Sequence, residues 1–173
     1  WHKMNDNYDR IIFPDKSYNF NAPYTRFIDD MVEYFPGTRD KFQKYLEMIN
    51  ASVKKGLPYY ANKALPNWLS RLTYNKMANP FHKYTDVTTR EVIMNIFNDE
   101  QILGVLTGQW GDHGLPPSQS SFAMHALVVR HYLDGGNYPI GTSRRIAETV
   151  TDYIEKMDGK IYVNAGVDEI LTH

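Results

Sequence analysis

The run from Ser121 to Leu133 is long enough for a helix and nearly free of charge. It is fenced by two clusters rich in glycine and proline, Gly111 to Pro117 and Gly135 to Gly141. Glycine costs conformational entropy unless an unusual φ/ψ or a close approach requires it. The run must therefore be a helix whose two ends carry backbone with a special task. Phe122, Ala123, Met124, Ala126, Leu127, Val128 and Val129 place apolar groups on nearly every side, which predicts a deeply buried helix. The wider stretch Trp110 to Ser143 also holds three of the chain's six histidines. It is where a ligand or another domain is expected to meet the chain.

The remaining elements arrange themselves around that helix. Ile11, Ile12 and Phe13 precede Pro14-Asp15-Lys16-Ser17, and Tyr18-Asn19-Phe20 then alternates, a pattern that predicts a short hairpin. Thr25 to Phe35 predicts a helix ended by Pro36-Gly37. From Arg39 to Lys55 the residues Phe42, Leu46, Ile49 and Val53 recur on one face, and Gly56 with Pro58 predicts the stop. Further helices are expected over Asn67 to Met77, from Thr88 or Thr89 to Phe97 and from Glu100 to Thr107; Thr88 and Glu91 have capping-box spacing. Ser143 is expected to cap a helix striped by Ile146, Val150, Tyr153, Ile154 and Met157. Lys160 to Asn164 reads as a strand, and Val167 to Leu171 as a second short apolar piece. The fold class is α+β, mainly helical, with short strands towards the N- and C-terminal ends.

With 173 residues the chain has length for one domain with a real core. Nineteen Lys and Arg against 20 Asp and Glu leave a formal charge of -1, and no basic run tracks phosphates, so no nucleic-acid partner is expected. The absence of cysteine removes disulfides, thiol catalysis and Cys-based zinc sites; it agrees with a cytoplasmic location, which is the expectation. Asn50-Ala51-Ser52 matches a glycosylation acceptor but falls inside an expected helix. No apolar run reaches the ~18 residues that a membrane span needs. The chain opens on Trp1, which suggests a piece excised from a longer protein.

Several chemical motifs are missing: G-x-G-x-x-G, the phosphate loop G-x-x-x-x-G-K-[ST] and H-E-x-x-H. His125 and His131 stand six apart, about 240° round a helix, and cannot share a metal. No metal site is expected, and no side chain declares itself a catalytic acid, base or nucleophile.

In order, Gly111-Asp112-His113-Gly114-Leu115-Pro116-Pro117, Phe122, His125-Ala126, His131-Tyr132, Gly135-Gly136, Tyr138-Pro139, Gly141 and Ser143 resemble one family. The pattern is similar to the flavoproteins grouped with phytoene desaturases, carotenoid isomerases and retinol saturases. Asp158-Gly159-Lys160-Ile161 and Val167-Asp168-Glu169-Ile170-Leu171 extend the likeness to the tail. Trp1 to Met4, Tyr8-Asp9 and Phe35-Pro36 extend it more loosely to the start. The resemblance implies the central portion of a two-domain FAD-dependent oxidoreductase. Residues 1–142 would be the substrate-binding or cap region, and 143–173 a helix and strand returning to the FAD-binding domain. The parent would act on C–C bonds of polyene, retinoid or carotenoid-like apolar substrates by hydride exchange with flavin, in the sense of saturation, desaturation or isomerisation. The fragment alone is expected to be inactive and to hold no FAD.

Residue by residue, the resemblance places Tyr138, Pro139, Gly141 and Val167 at the cofactor. Thr142 stands where the family pattern has a second glycine, and its Cβ would hinder a very close flavin contact. Asp112, His113, His125, His131 and Tyr132 are the candidates for the substrate side. Each has a plainer alternative. His125 can be a core histidine satisfied by a carbonyl, the commoner outcome. Asp112 can cap the turn at Gly114 to Pro117, and His131 can complement the helix dipole. Arg144 and Arg145 occupy a helix's first turn, where the dipole disfavours cations, so a job at missing carboxylates or a cofactor phosphate is expected of them. The expected partners are an apolar small molecule and the missing FAD-binding domain, with peripheral membrane contact in the parent and homodimerisation through truncated surfaces as further expectations. The alternative reading is a non-catalytic helical module that binds a lipid or a partner protein.

Overall fold

A computed structural model describes residues 1–172. In chain order the regular elements are β1 (His2–Lys3), β2 (Asn7–Ile12), β3 (Ser17–Asn21), α1 (Phe27–Tyr34), α2 (Arg39–Lys63), α3 (Asn67–Met77), α4 (His82–Thr85), α5 (Thr89–Phe97), α6 (Glu100–Leu106), α7 (Phe122–Tyr132), β4 (Asn137–Tyr138) and α8 (Arg144–Lys156). The chain is α+β and mainly helical. It divides into two compact units, Met4–Gly136 and a second made of Trp1–Lys3 with Asn137–His173.

In the larger unit the hairpin forms where the turn residues predict it. The Phe13 amide donates to the Lys16 carbonyl at 2.8 Å, closing the turn, and Ile12 pairs with Ser17 and Ile11 with Tyr18. Alternation along β3 turns Tyr18 and Phe20 into the core. Thr88 and Glu91 form the capping box of α5, with the Thr88 amide donating to Glu91 at 2.8 Å. Asn98 then takes a left-handed conformation (φ 52°), and Asp99 caps α6 through the amides of Gln101 and Ile102. Ser121 caps α7, and the segment before it is stitched to the start of α5 by Phe122 N–H donating to Val87 and Thr89 N–H to Ser120, both at 2.9 Å.

The core lies where α2 crosses α7 and α5. Phe42, Tyr45 and Ile49 of α2, Ile93 and Phe97 of α5, and Phe122 and Ala126 of α7 are all buried. Phe42 and Phe97 rings stand 4.7 Å apart. Each such side chain contributes about 1.5–3 kcal/mol through removal of apolar area from water.

Two expectations fail here for identifiable reasons. Helix α2 does not stop at Lys55; it runs on through Gly56 and Pro58 to Lys63. Gly56 is buried beneath Phe81, whose Cε2 lies 3.3 Å from where a Cβ would stand, so this glycine serves a close approach and not a stop. Beyond Pro58, buried Asn62 donates to the Ser70 carbonyl and to Thr73 Oγ1, both at 2.9 Å, and accepts from Ser70 Oγ at 3.0 Å. Those bonds to α3 hold the last turn of α2 against the local cost of proline. Helix α7 is also less deeply buried than its composition predicts: Met124 is 44% exposed, and Leu127 and Val128 are half-buried.

In the smaller unit β1 pairs antiparallel with β4, His2 opposite Tyr138 and Lys3 opposite Asn137. Ser143 does not cap α8, since it is helical and its side chain bonds no backbone amide. After Asp158 (φ 59°) the described residues form no regular element. The strand expected at Lys160 to Asn164 is not formed, and Tyr162 and Val163 are exposed. A strand needs a neighbour for its ladder, and the described residues supply none.

Candidate functional site

In the larger unit the end of α7 and the short 3₁₀ turn Trp110–Asp112 come together. Asp112, Leu127, Val128, His131 and Tyr132 line a shallow cavity of about 360 Å³. Three of the five residues placed on the substrate side by resemblance thus share one concavity. The neighbouring Asp112 carboxylate, ahead of burial and of Asp9, raises the Tyr132 pKa. The Tyr132 ring is held flat against Tyr8 (centroids 6.3 Å, 11° between planes) and meets the His131 ring edge-on at 5.2 Å. Tyr8 is itself pushed well above the ordinary phenol range, by burial first and then by Asp9, Asp134 and Asp30.

His125 lies elsewhere. It is buried in the core, and Nε2 shares a hydrogen bond of 2.8 Å with the Tyr45 hydroxyl. Burial, with a smaller contribution from His113, drives its pKa down to about 3, so the ring is neutral. Burial likewise pushes the Tyr45 hydroxyl far above its usual value. His113 is partly buried, and its Nδ1 is enclosed without a hydrogen-bond partner. Tyr45 is absent from the candidates drawn from sequence. It lies 80 residues from its partner, and no local pattern could have revealed it. Leu127 and Val128 could have been found, because a helix apolar all round has more apolar side chains than one buried face can use.

Of the four residues assigned to a cofactor, Tyr138, Pro139 and Gly141 fall on β4 and the loop after it, in the smaller unit. Pro139 helps line a cavity of about 300 Å³ with Trp1, Ile140, Arg145, Ile146 and Thr149. Gly141 (φ 89°) has no atom within 4 Å of where a Cβ would point, which leaves its backbone open to approach by a flat group. Thr142 follows at φ 72°, a conformation unfavourable for a β-branched residue. Val167 is exposed in irregular chain and apart from any element. Arg144 and Arg145 pair with Glu148 at 3.0 and 3.3 Å, so neither guanidinium is uncommitted. The loop can offer a backbone edge to a ring, but between β4 and α8 it lacks the G-x-G-x-x-G pattern of a pyrophosphate cradle. These residues alone do not fit a whole dinucleotide cofactor.

Among the described residues no cluster of His, Asp and Glu could hold a metal ion, and no helix is long and apolar enough to cross a membrane.

Comparison with known proteins extends the likeness beyond the motifs. The chain is 26% identical to all-trans-retinol 13,14-reductase of Danio rerio over 99% of its length and 30% of the relative's. It is 29% identical to the human protein of that name over 90% of its length and 26% of the relative's. Over most of its length the chain is thus similar to all-trans-retinol 13,14-reductases. It spans about a third or less of the length of the relatives it matches. A further Danio rerio relative, 26% identical over 80% of the chain and 23% of its own length, is named an inactive all-trans-retinol 13,14-reductase. No family model matches the chain, and no solved structure matches it. The region of similarity covers both the helical unit that carries Asp112, His131 and Tyr132 and the smaller unit that carries Tyr138, Pro139 and Gly141.

Proposed function

We propose that the chain is the substrate-side portion of a larger FAD-dependent oxidoreductase that acts on a C–C bond of a retinoid or a related apolar polyene. The observation that carries this reading is the similarity to all-trans-retinol 13,14-reductases over 99% of the chain. Residues 1–142 act as the cap, and 143–173 lead back to the cofactor domain. Flavin bound by other parts of the protein supplies the redox chemistry. The residues in this chain orient the substrate and exclude water from it. Leu127 and Val128 offer apolar wall, and Asp112, His131 and Tyr132 offer polar groups at one end. Tyr138, Pro139 and Gly141 face the flavin edge, with Thr142 keeping the approach looser than a second glycine would.

The test is to read the coding sequence on both sides of residues 1–173 and purify the protein it encodes. The reading expects a G-x-G-x-x-G segment, bound flavin and reduction or desaturation of a retinoid. A complete protein that stays colourless after incubation with FAD refutes it. The 173-residue chain alone is expected to bind no flavin and to turn over nothing.

A second reading, a non-catalytic helical module that binds a lipid or a partner protein, is favoured by α8, whose Ile146, Val150, Tyr153 and Met157 are all more than half exposed. A relative named as inactive is compatible with it. Retained binding by a complete protein without flavin would select this reading.

A further inference from the structure

We infer that α3 is a docking face for the surface of an anionic lipid bilayer, with Trp68 and Leu72 entering the headgroup layer and Arg71 and Lys76 meeting its charge. The inference is independent of the redox reading and survives its failure.

Charge is segregated along the chain. From Met48 to Thr85 there are six Lys or Arg and no Asp or Glu, while the other residues hold 13 of the former against 20 of the latter. All six cations, Lys54, Lys55, Lys63, Arg71, Lys76 and Lys83, are exposed. None of them joins an ion pair among the described residues. Lys63 and Lys83 instead lie over the rings of Tyr59 and Tyr84, at 5.4 and 4.7 Å from the centroids. A chain close to neutral as a whole thus carries one strongly positive part, which attracts an anionic surface.

The same part exposes apolar groups. No residue of α3 is buried. The helix is tied to α2 through polar atoms, since Thr73 Oγ1 and Ser70 Oγ both bond the buried Asn62, at 2.9 and 3.0 Å. Trp68 and Leu72, one turn apart, lie about 150° round the helix from that bonded side at 3.6 residues per turn. They are 70% and 76% exposed, so they contribute little to the packing of this unit. Arg71 and Lys76 follow on either flank of the pair. Tryptophan favours the headgroup level because its ring is apolar and its N–H can still bond. Lys and Arg lay their stems on apolar surface and keep the charge in water.

Two observations favour lipid over a second protein. Eleven residues make about 16 Å of helix, and one face of that length falls far short of the ~800 Å² per partner in a stable protein interface. The cations are also spread over α2, α3 and α4, with no single geometry for a rigid partner to match. A fluid layer of anionic headgroups requires none. No described helix is long and apolar enough to cross a membrane, so the contact is with the surface.

The experiment floats the full 173-residue chain with vesicles of phosphatidylcholine, alone or with about 30% phosphatidylserine. The chain should bind the mixed vesicles about tenfold more tightly than the neutral ones, and lose that preference as salt rises from about 0.05 to 0.5 M. Arg71→Gln with Lys76→Gln should weaken binding to the mixed vesicles on the order of tenfold. Lys156→Gln with Lys160→Gln, the same loss of charge in the smaller unit, should leave it within about twofold. Trp68→Ser with Leu72→Ser should weaken binding several-fold at every salt concentration and leave helical content by circular dichroism unchanged. The proposal is overturned if the chain ignores both kinds of vesicle, binds them alike, or loses as much with the Lys156 and Lys160 pair as with the Arg71 and Lys76 pair. A complete protein that ignores the mixed vesicles while the 173-residue chain binds them also overturns it, because the rest of that protein then covers the face. A complete protein that lacks flavin and still binds the mixed vesicles refutes the redox reading alone and upholds the docking face.

Discussion

Phe42 and Tyr153 are both large side chains on the apolar stripe of an amphipathic helix. In the unit Met4–Gly136, Phe42 is fully buried. In the unit of residues 1–3 and 137–173, Tyr153 is 69% exposed, and no residue of α8 is buried. Periodicity specifies which face of a helix is apolar. It does not specify whether the chain in hand contains what that face packs against. Helices α2, α5 and α7 find one another, so the larger unit closes its own core, and α8 presents the same kind of stripe unpartnered. The two units should therefore answer the same perturbation very differently. The largest contrast is expected from truncation: Phe42→Ala should cost about 3–5 kcal/mol, whereas Tyr153→Ala should stay within about 0.5 kcal/mol. Urea unfolding followed by far-ultraviolet circular dichroism measures both, and similar costs would erase the distinction.

Acid should also act mainly on the larger unit, through His125. Its pKa falls from 6.5 to about 3 on burial. Between those values the unfolded chain holds a proton that the folded chain does not, so stability declines as pH falls from 6.5 towards 3. The decline is about 1.4 kcal/mol per pH unit, or about 3 kcal/mol by pH 4.5. His125→Gln keeps a hydrogen-bonding partner for Tyr45 and cannot take up a proton, so its stability should change less over the same range. Equal slopes for the two proteins between pH 6.5 and 4.5 would mean that His125 is not held neutral by the fold.

What was legible in the sequence divides along the same line. Local devices such as the turn at Pro14 to Ser17 and the Thr88–Glu91 box read true, and each depends on residues a few positions apart. The Ser143 cap is a local device that failed; the other failures depend on distant partners. Gly56 and Pro58 look like a stop, but Phe81 over Gly56 and the bonds from Asn62 to Ser70 and Thr73 override them. The strand expected at Lys160 to Asn164 has the right composition and nothing to pair with. The candidate site follows suit. Asp112, His131 and Tyr132 were named by resemblance, yet their meeting with Leu127 and Val128 is a property of how α7 ends against the 3₁₀ turn, 20 residues from Asp112 to Tyr132. The Tyr45–His125 pair belongs wholly to the fold.

A smaller effect is expected at Thr142, whose φ of 72° is unfavourable for a β-branched residue and ordinary for glycine. Thr142→Gly should relieve about 1 kcal/mol of local strain. Because the gain lies in the smaller unit, hydrogen exchange in the first turn of α8 should slow while the urea midpoint of the larger unit stays put. Unchanged exchange would indicate that the left-handed turn costs nothing there, or that it is not populated.

The smallest effect tests whether the open face of α8 is truly open in solution. Val150 and Tyr153 are 53% and 69% exposed, so replacing both with glutamine removes little buried apolar area and should leave stability within about 0.5 kcal/mol. Helical content could fall slightly, since a 13-residue helix without packing is marginal. A loss of 2 kcal/mol or more would mean that something covers the stripe. In a purified sample that cover is either the rest of the same chain or a second copy of it. Light scattering then decides: wild-type dimers that become monomers on substitution would show the two units to be alike after all, one buried by its own chain and the other by a neighbour's.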